Sequence, residues 1–530
     1  MVVEKKFRES PLKFEKNFIR KKWTGRIPIA LIFPNKYEIG MANLGFLYLY
    51  ERLNSYDELV CERFFYDGEV KIRSIENNRP LKDFPLLLFT IPFEGDFVNV
   101  VNILIKSEIK LNPLERRETV LAGGIATWSN PFPLSSFMDG FLLGEWEAME
   151  KELIPLILEY SSHKEKLIEK LSELEYFFSP LMDLQKRSLK IIKKIFPENP
   201  ILSKLTSERA QFKESYLLEV SKGCGRACRF CLAGFISRPP RGYSSEALLK
   251  KLEEIPPKSK VGLIGLEFAN RDEVLRLGKE LLKKEIILTF SSLRLDTIKE
   301  DFFSLLISTK SIALAPETAS ERLKRVINKE ISNELIFEVL ERLKGSSVKK
   351  IKFYFMFGLP TEKESDLMES IKFIKELKKR KAPFKFIFSF SPFVPKPHTP
   401  FQWADFDFAL LKEKKNLINK ELSSIPEVKV ESLKDALLQA ILARGDKNLK
   451  DFILALALGE PLNRAKERIE NLESILKPPK DIKYVFPWEQ IKCEVKKEFL
   501  YNEWIRAHQE KVTSFCQPKV CKACGACKIL

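Results

Sequence analysis

The apolar positions of this chain fall into two series of short runs separated by amphipathic stretches. In the first, Ile27–Phe33 is an apolar, β-rich run, followed by the turn Asn35-Lys-Tyr-Glu-Ile-Gly40 and a helical stretch at 44–53. Runs at 86–91, 120–122 and 140–143 read as further strands, and 145–159 as helix. Strands alternating with helices predict a parallel, doubly wound sheet, with its ligand crevice beyond the carboxyl ends of the strands. Residues 1–20 are basic and read as a lead-in arm. Residues 160–212 are charged and helical in pattern, broken by Pro197 and Pro200, and predict a linker.

The second series has six apolar runs, at 216–220, 261–266, 286–291, 311–315, 351–357 and 384–389. Helical patterns separate them at 244–255, 271–284, 297–307, 319–344 and 363–380. Six strands with five intervening helices predict a partial (β/α)6 barrel, a shortened relative of the eight-stranded TIM form. Beyond Pro400 the pattern turns helical at 406–421, 432–445, 448–457 and 462–475, then runs into a cysteine-rich tail. The expected fold class is therefore α/β. Its parts are a Rossmann-like domain at 1–160, a helical linker at 161–212, the barrel at 213–405 and a helical, Cys-rich region at 406–530.

At 530 residues the chain exceeds what one hydrophobic core supports. The longest apolar runs, at 86–93 and 452–458, are too short to cross a bilayer, so no membrane partner is expected. No apolar segment follows the opening Met-Val-Val-Glu-Lys-Lys, and a cytoplasmic location is the expectation. Lys and Arg number 90 against 73 Asp and Glu, a formal charge of +17. An excess of this kind arises from a surface rich in Lys and Glu, or serves attraction to a polyanion such as RNA. The basic residues are scattered through helical patterns, which favours the first source.

Nine cysteines change the picture more than the charge does. Cys61 and Cys493 stand alone, whereas the others form two tight groups, Cys224/Cys228/Cys231 and Cys516/Cys521/Cys524/Cys527. Clustered thiols in a large chain with no secretory segment point to metal rather than disulfides. The first group, Ser221-Lys-Gly-Cys224-Gly-Arg-Ala-Cys228-Arg-Phe-Cys231, directly follows the first strand of the second series. Three thiolates on one loop can ligate three irons of a cubane and leave the fourth open to a ligand. That open position separates a catalytic site from a closed structural one. A zinc site would show a fourth Cys or His close by, and the three histidines, His163, His398 and His508, are all distant in sequence.

The Cys-x3-Cys-x-aromatic-Cys pattern resembles the signature of the radical S-adenosylmethionine superfamily. The resemblance implies a [4Fe–4S] cluster held by Cys224, Cys228 and Cys231, S-adenosylmethionine on the open iron, and a 5′-deoxyadenosyl radical as product. It also implies an electron donor such as flavodoxin or ferredoxin. By the same resemblance Phe230 packs near the adenine, and Arg294, in Ser291-Ser-Leu-Arg294-Leu-Asp296, reaches the cofactor. Ala315-Pro-Glu317 and the later Asn328-Lys329 look like the family's fourth-strand pattern, giving cofactor roles to Glu317 and Lys329. Met356-Phe-Gly358-Leu-Pro360-Thr-Glu362 resembles the turn beside the adenine, with Gly358 and Pro360 as its carriers. Where many members have Gly-Gly-Glu, this chain has Ile264-Gly-Leu-Glu267-Phe268. The stretch Ser391-Pro-Phe-Val-Pro395-Lys-Pro-His398 is similar to that of the tRNA methylthiotransferase branch, with His398 read chiefly as a packing residue.

The first series resembles the cobalamin-binding type of Rossmann-like domain. The carriers are 34–45, Leu121-Ala-Gly123-Gly124-Ile-Ala-Thr127 and Gly144-Glu-Trp-Glu147. The Asp-x-His-x-x-Gly motif is absent and Ile125 follows the Gly pair, so cobalamin stays open but is not favoured. The tail Cys516-x4-Cys521-x2-Cys524-x2-Cys527 can close a second Fe–S cluster or a zinc site. Taken with Arg444-Gly-Asp446 and Pro487-Trp488, the whole chain is similar to a radical S-adenosylmethionine group with a Rossmann-like N-terminus and a Cys-rich C-terminus. The expected function is radical modification of a macromolecule such as RNA or a ribosome-related substrate. The alternatives are cobalamin-dependent methylation, and a non-catalytic Fe–S or zinc protein that binds nucleic acid.

Overall fold

The computed structural model describes residues 9–68, 71–182, 189–194, 198–266, 271–290, 294–298, 300–306, 309–380, 382–518 and 520–529. Pro197, Glu267, Phe268 and Ser291 to Leu293, on which some expectations rest, lie outside the described residues.

The first series folds into a six-stranded sheet. Its strands are β1 (Ile27–Phe33), β2 (Leu59–Phe65), β3 (Leu86–Thr90), β4 (Thr119–Gly123), β5 (Gly140–Leu142) and β6 (Phe177–Phe178). The spatial order is β2-β1-β3-β4-β5-β6, parallel except for β6, a doubly wound order with its switch point between β1 and β3. The apolar pattern did not predict β2, because Glu62 and Arg63 stand in its centre. Both are buried there. Arg63 is neutralised by Glu15 and Glu76, each at 2.7 Å, and its guanidinium lies 4.5 Å from the centre of the Tyr50 ring. A buried charge survives only when it is paired and hydrogen-bonded, so partners from outside the strand make β2 possible.

The 161–212 segment corrects its expected helical character. Among the described residues of this segment, α-helix covers only Lys164–Leu171. Further on come short strands that tie different parts of the chain together. Phe177–Phe178 closes the first sheet, and Leu202–Ser203 pairs antiparallel with the first barrel strand. Thr206–Ser207 pairs with Glu15–Lys16 of the N-terminal arm, and Leu189–Lys190 with Ile491–Lys492 near the tail. Charged helical patterning fails here because edge pairing, rather than a helix face, buries the apolar positions.

The barrel strands are β7 (Ser215–Glu219), β8 (Lys260–Ile264), β9 (Ile287–Phe290), β10 (Ser311–Glu317), β11 (Lys350–Phe357) and β12 (Lys385–Pro392). All six expected strands are present and parallel, in two halves, β7-β8-β9 and β10-β11-β12. A further strand, Val428–Val430, extends the second half beside β12. The expected helix at 319–344 is two helices, Glu321–Val326 and Asn333–Leu343, each capped by a serine side chain, Ser320 and Ser332. The expected helix at 462–475 is likewise broken into Leu462–Ala465 and Leu472–Leu476. The helix Lys497–His508 was not expected. Among the described residues no helix is long and apolar enough to cross a membrane.

His398 joins the two large parts. Its ring is buried, its Nε2 donates to the Ser129 carbonyl at 3.1 Å, and its backbone N–H donates to Gln402. Burial lowers its pKa to about 4 from the usual 6.5. The unfolded chain therefore takes up this proton before the folded one does, and stability falls as pH drops from 6.5 towards 4. Thermal melts of wild type and His398→Asn across this range should diverge, wild type losing about 3 kcal/mol more between the two limits.

Candidate active site

The loop between β7 and the helix Leu232–Ile236 carries Cys224, Cys228 and Cys231 at the carboxyl end of the barrel. Its entry turns sharply at Gly223, where φ is +68° and a Cβ would lie 2.4 Å from the Pro239 carbonyl oxygen. Only glycine fits that turn. Each sulfur receives an N–H donor: Cys224 from the Arg226 backbone at 3.5 Å, Cys228 from Arg294 Nη1 at 3.4 Å, and Cys231 from the Gly234 backbone at 3.3 Å. Such donors stabilise thiolates and tune a cluster that they hold. Burial and the neighbouring Cys228 push the Cys231 thiol up to about 11, so a metal bound there would displace a proton.

The three cysteines line one cavity of about 590 Å³ together with Phe230, Arg294, Glu317 and Lys329. Four sequence-predicted cofactor residues thus converge on the thiols. Lys329 Nζ donates to Glu317 Oε1 at 2.7 Å and lies 5.9 Å from the centre of the Phe230 ring. Glu317 ends β10 after a bulge and has φ of +67°, a strained setting that aims its carboxylate into the cavity. Arg294 also pairs with Asp296 at 3.0 Å. Gly358 and Pro360 are not brought there. They line a separate cavity beneath the C-terminal helix with Trp504 and His508, where a Cβ on Gly358 would lie 2.2 Å from Leu411 Cδ2.

A second cavity, of about 500 Å³, lies between the two parts of the chain. It sits at the carboxyl ends of β3, β4 and β5 and against the helix that follows β1, where a doubly wound sheet binds ligands. Leu44–Gly45, Gly123–Gly124 and Gly144–Glu147 all reach it, so the three quoted N-terminal stretches converge. Gly124 has φ of +109° and a Cβ there would lie 2.5 Å from the Ile91 carbonyl oxygen. Tyr48, Trp128, Trp146 and Phe212 supply aromatic walls.

Trp128, Glu145, Glu219, Lys222 and Ile264 line both cavities, which therefore adjoin. Lys222 pairs with Glu147 at 2.8 Å and Glu219 at 2.9 Å, and Arg241 pairs with Glu145 at 2.7 Å. Tyr243 donates to Glu219 at 2.5 Å, and burial raises the Glu219 pKa. These charges lock the N-terminal domain onto the barrel beside the cysteine loop. Sequence reasoning did not single them out, although Lys222 lies inside the cysteine motif and Glu145 and Glu147 inside the third N-terminal stretch.

The tail cysteines meet the same loop from behind. Cys516 and Cys524 are buried, Cys521 and Cys527 partly so, and no disulfide joins any of the nine cysteines. Among the described residues no three His, Cys, Asp or Glu side chains close around a single point. A cubane instead spreads its thiolates over separate irons. The donor set at the barrel suits such a cluster: three thiols, an adjoining cavity and no histidine among the residues lining it.

Fold and site together define a parallel α/β barrel with three clustered cysteines and an adjoining cavity at its carboxyl end. Residues 218–374 match the family described as the Radical SAM superfamily, and residues 45–180 match the family described as Radical SAM proteins, N-terminal. An uncharacterised protein of Methanocaldococcus jannaschii is 33% identical over 435 residues, covering 80% of this chain and 90% of its own length. The tRNA-2-methylthio-N(6)-dimethylallyladenosine synthase of Anaplasma phagocytophilum is 22% identical, over 52% of this chain and 63% of its own. Among solved structures, the cobalamin-dependent S-adenosylmethionine radical enzyme OxsB with aqua-cobalamin bound is 14% identical with a TM-score of 0.45. That match covers 68% of this chain and 53% of OxsB. The chain belongs to the radical S-adenosylmethionine superfamily, whose cofactors are a [4Fe–4S] cluster and S-adenosylmethionine.

Proposed function

We propose that Cys224, Cys228 and Cys231 ligate the cluster and that the resulting radical modifies a macromolecule, with RNA as the leading substrate class. When bound, the cluster supplies the electron that splits S-adenosylmethionine into methionine and a 5′-deoxyadenosyl radical. Glu317 and Lys329 then orient the cofactor from one wall of the cavity and Arg294 from another, while Phe230 covers its flat face. The reading includes a cytoplasmic location, and reduction of the site calls for a one-electron donor of the flavodoxin or ferredoxin type.

The observation that carries the substrate reading is the aromatic-walled cavity adjoining the cluster cavity. An unstacked base is held by flat aromatic faces, each worth about 1–3 kcal/mol. The net positive charge and the likeness to a tRNA-modifying synthase agree with it. The test adds single-stranded RNA or unmodified tRNA to reconstituted enzyme with S-adenosylmethionine. The expected results are faster 5′-deoxyadenosine release and a mass change in one nucleoside; the absence of both removes RNA.

Cobalamin-dependent methylation is the second reading, favoured by the position of the same cavity at the switch point of the N-terminal sheet. No histidine lines it, so cobalamin would bind there without a protein base. Visible absorption of cobalamin that stays with the protein through gel filtration decides for this reading, and loss of the colour decides against it.

A further inference from the structure

The four tail cysteines carry two overlapping iron–sulfur spacings. Cys516-x4-Cys521-x2-Cys524 has the plant-type ferredoxin spacing, and Cys521-x2-Cys524-x2-Cys527 that of the bacterial run. Structural zinc sites typically use two short pairs joined by a longer arm, which this tail lacks. The other three tail thiols are near enough to act electrostatically on Cys516. The segment is pinned in place, since Lys496 N–H donates to the Cys524 carbonyl at 2.9 Å.

The position of the tail matters more than its spacing. Cys516 N–H donates at 2.9 Å to the carbonyl of Gly225, the residue next to Cys224. A Cβ on Gly225 would lie 3.2 Å from Cys516 Cβ and 3.1 Å from the Phe515 ring, so the two backbones touch with no side chain between them. The Arg226 guanidinium stands 4.9 Å from the centre of that ring. Asn328 Nδ2 donates to the carbonyls of Arg226, Ala227 and Thr513, each at 3.2 Å, and its Oδ1 accepts from Thr513 N–H at 2.8 Å. Arg229, between the second and third barrel cysteines, donates to the Lys511 carbonyl at 2.6 Å. A purely structural metal could sit anywhere in the C-terminal region. This site is instead stitched to the loop that holds the redox-active thiols.

We propose that the tail holds a second iron–sulfur cluster and is the entry port for electrons. One electron from a reduced flavodoxin- or ferredoxin-type carrier enters at the tail, which returns to its oxidised state as the electron crosses the Gly225–Cys516 contact to the barrel site. The carrier is oxidised by one electron, the barrel site is reduced by one, and no atom is transferred. Electron transfer weakens steeply with distance, and a shared hydrogen bond between the two loops keeps the path short. The proposal rests on the reading that Cys224, Cys228 and Cys231 hold the first cluster.

The test reconstitutes the full chain anaerobically with ferrous iron and sulfide, as wild type, as C224A/C228A/C231A and as C521S/C527S. Iron and sulfide should fall from two clusters to one in both variants. After reduction, the barrel variant should keep an electron paramagnetic resonance signal that S-adenosylmethionine leaves unchanged, and the tail variant one that S-adenosylmethionine shifts. With reduced flavodoxin the tail variant should lose at least tenfold in 5′-deoxyadenosine formation. With dithionite, which reaches the barrel site directly, it should recover most of that loss. Zinc in place of iron in the barrel variant overturns the proposal, as does equal activity of wild type and tail variant with flavodoxin. If C521S/C527S does not fold, the metal content and spectrum of wild type and of the barrel variant still decide. Wild type with one cluster that persists in C224A/C228A/C231A, and with no 5′-deoxyadenosine formed, would instead refute the barrel reading.

Discussion

Replacing Cys224, Cys228 or Cys231 by alanine reduces 5′-deoxyadenosine release from S-adenosylmethionine to background. In the proposed site each thiol supplies one corner of the cluster, and among the residues lining the cavity there is no spare Cys or His to replace it. Removing one leaves two ligands for a cubane that needs three to stay assembled with a single open iron. The loss is expected in chemistry rather than folding, because sulfur is a weak acceptor for N–H donors such as those of Arg226, Gly234 and Arg294. The unfolding midpoint of the apo variants should therefore stay close to that of apo wild type. Chromatography of the products against iron content checks the prediction; a fully active C228A variant would sink the assignment.

Glu317→Gln and Lys329→Met produce the second large effect, and their pattern matters as much as its size. The pair is nearly buried, with side chains 11% and 8% exposed, and its 2.7 Å contact fixes both groups in the cavity wall. A hydrogen bond to a charged group contributes about 1.5–3 kcal/mol, which corresponds to roughly a ten- to a hundredfold loss in cofactor affinity. Either single variant also strands the partner charge in the wall. The double variant Glu317→Gln/Lys329→Met removes both charges and should cost less than the sum of the two. Titration of S-adenosylmethionine binding, with KM and kcat measured separately, checks this. A change in kcat alone, with binding untouched, would move these residues out of the cofactor wall.

Much of this site is legible in the chain because its determinants are local. The cysteine spacing, the glycine before it and the strand that precedes it lie within one short stretch. Glu317 and Lys329 are twelve residues apart, at either end of one short helix. What could not be read was whatever depends on partners distant in sequence. Strand β2 is hidden by Arg63, whose neutralising carboxylates come from the arm and from a later loop. The 161–212 segment looks helical because its charges are spaced that way, yet its strands are set by edges that other segments offer. Gly358 and Pro360 carry a familiar turn, but packing of the C-terminal helix places them in a separate cavity. The docking of Cys516 on Gly225 leaves no trace in either motif alone.

That docking also bears on how the protein comes to be active. Arg229 reaches Glu503 across 274 residues and Thr513 across 284, so the cysteine loop is enclosed by some of the longest-range contacts in the chain. Contacts of such separation form late, since a long chain must be ordered before they give any return. On the ribosome the barrel emerges well before its closing segment does, and domains fold in that order. In the proposed site, the loop that receives iron and sulfide thus stays uncovered until the segment carrying Glu503 and Thr513 arrives. Chain order therefore favours metal insertion before this closure and leaves the loop covered afterwards.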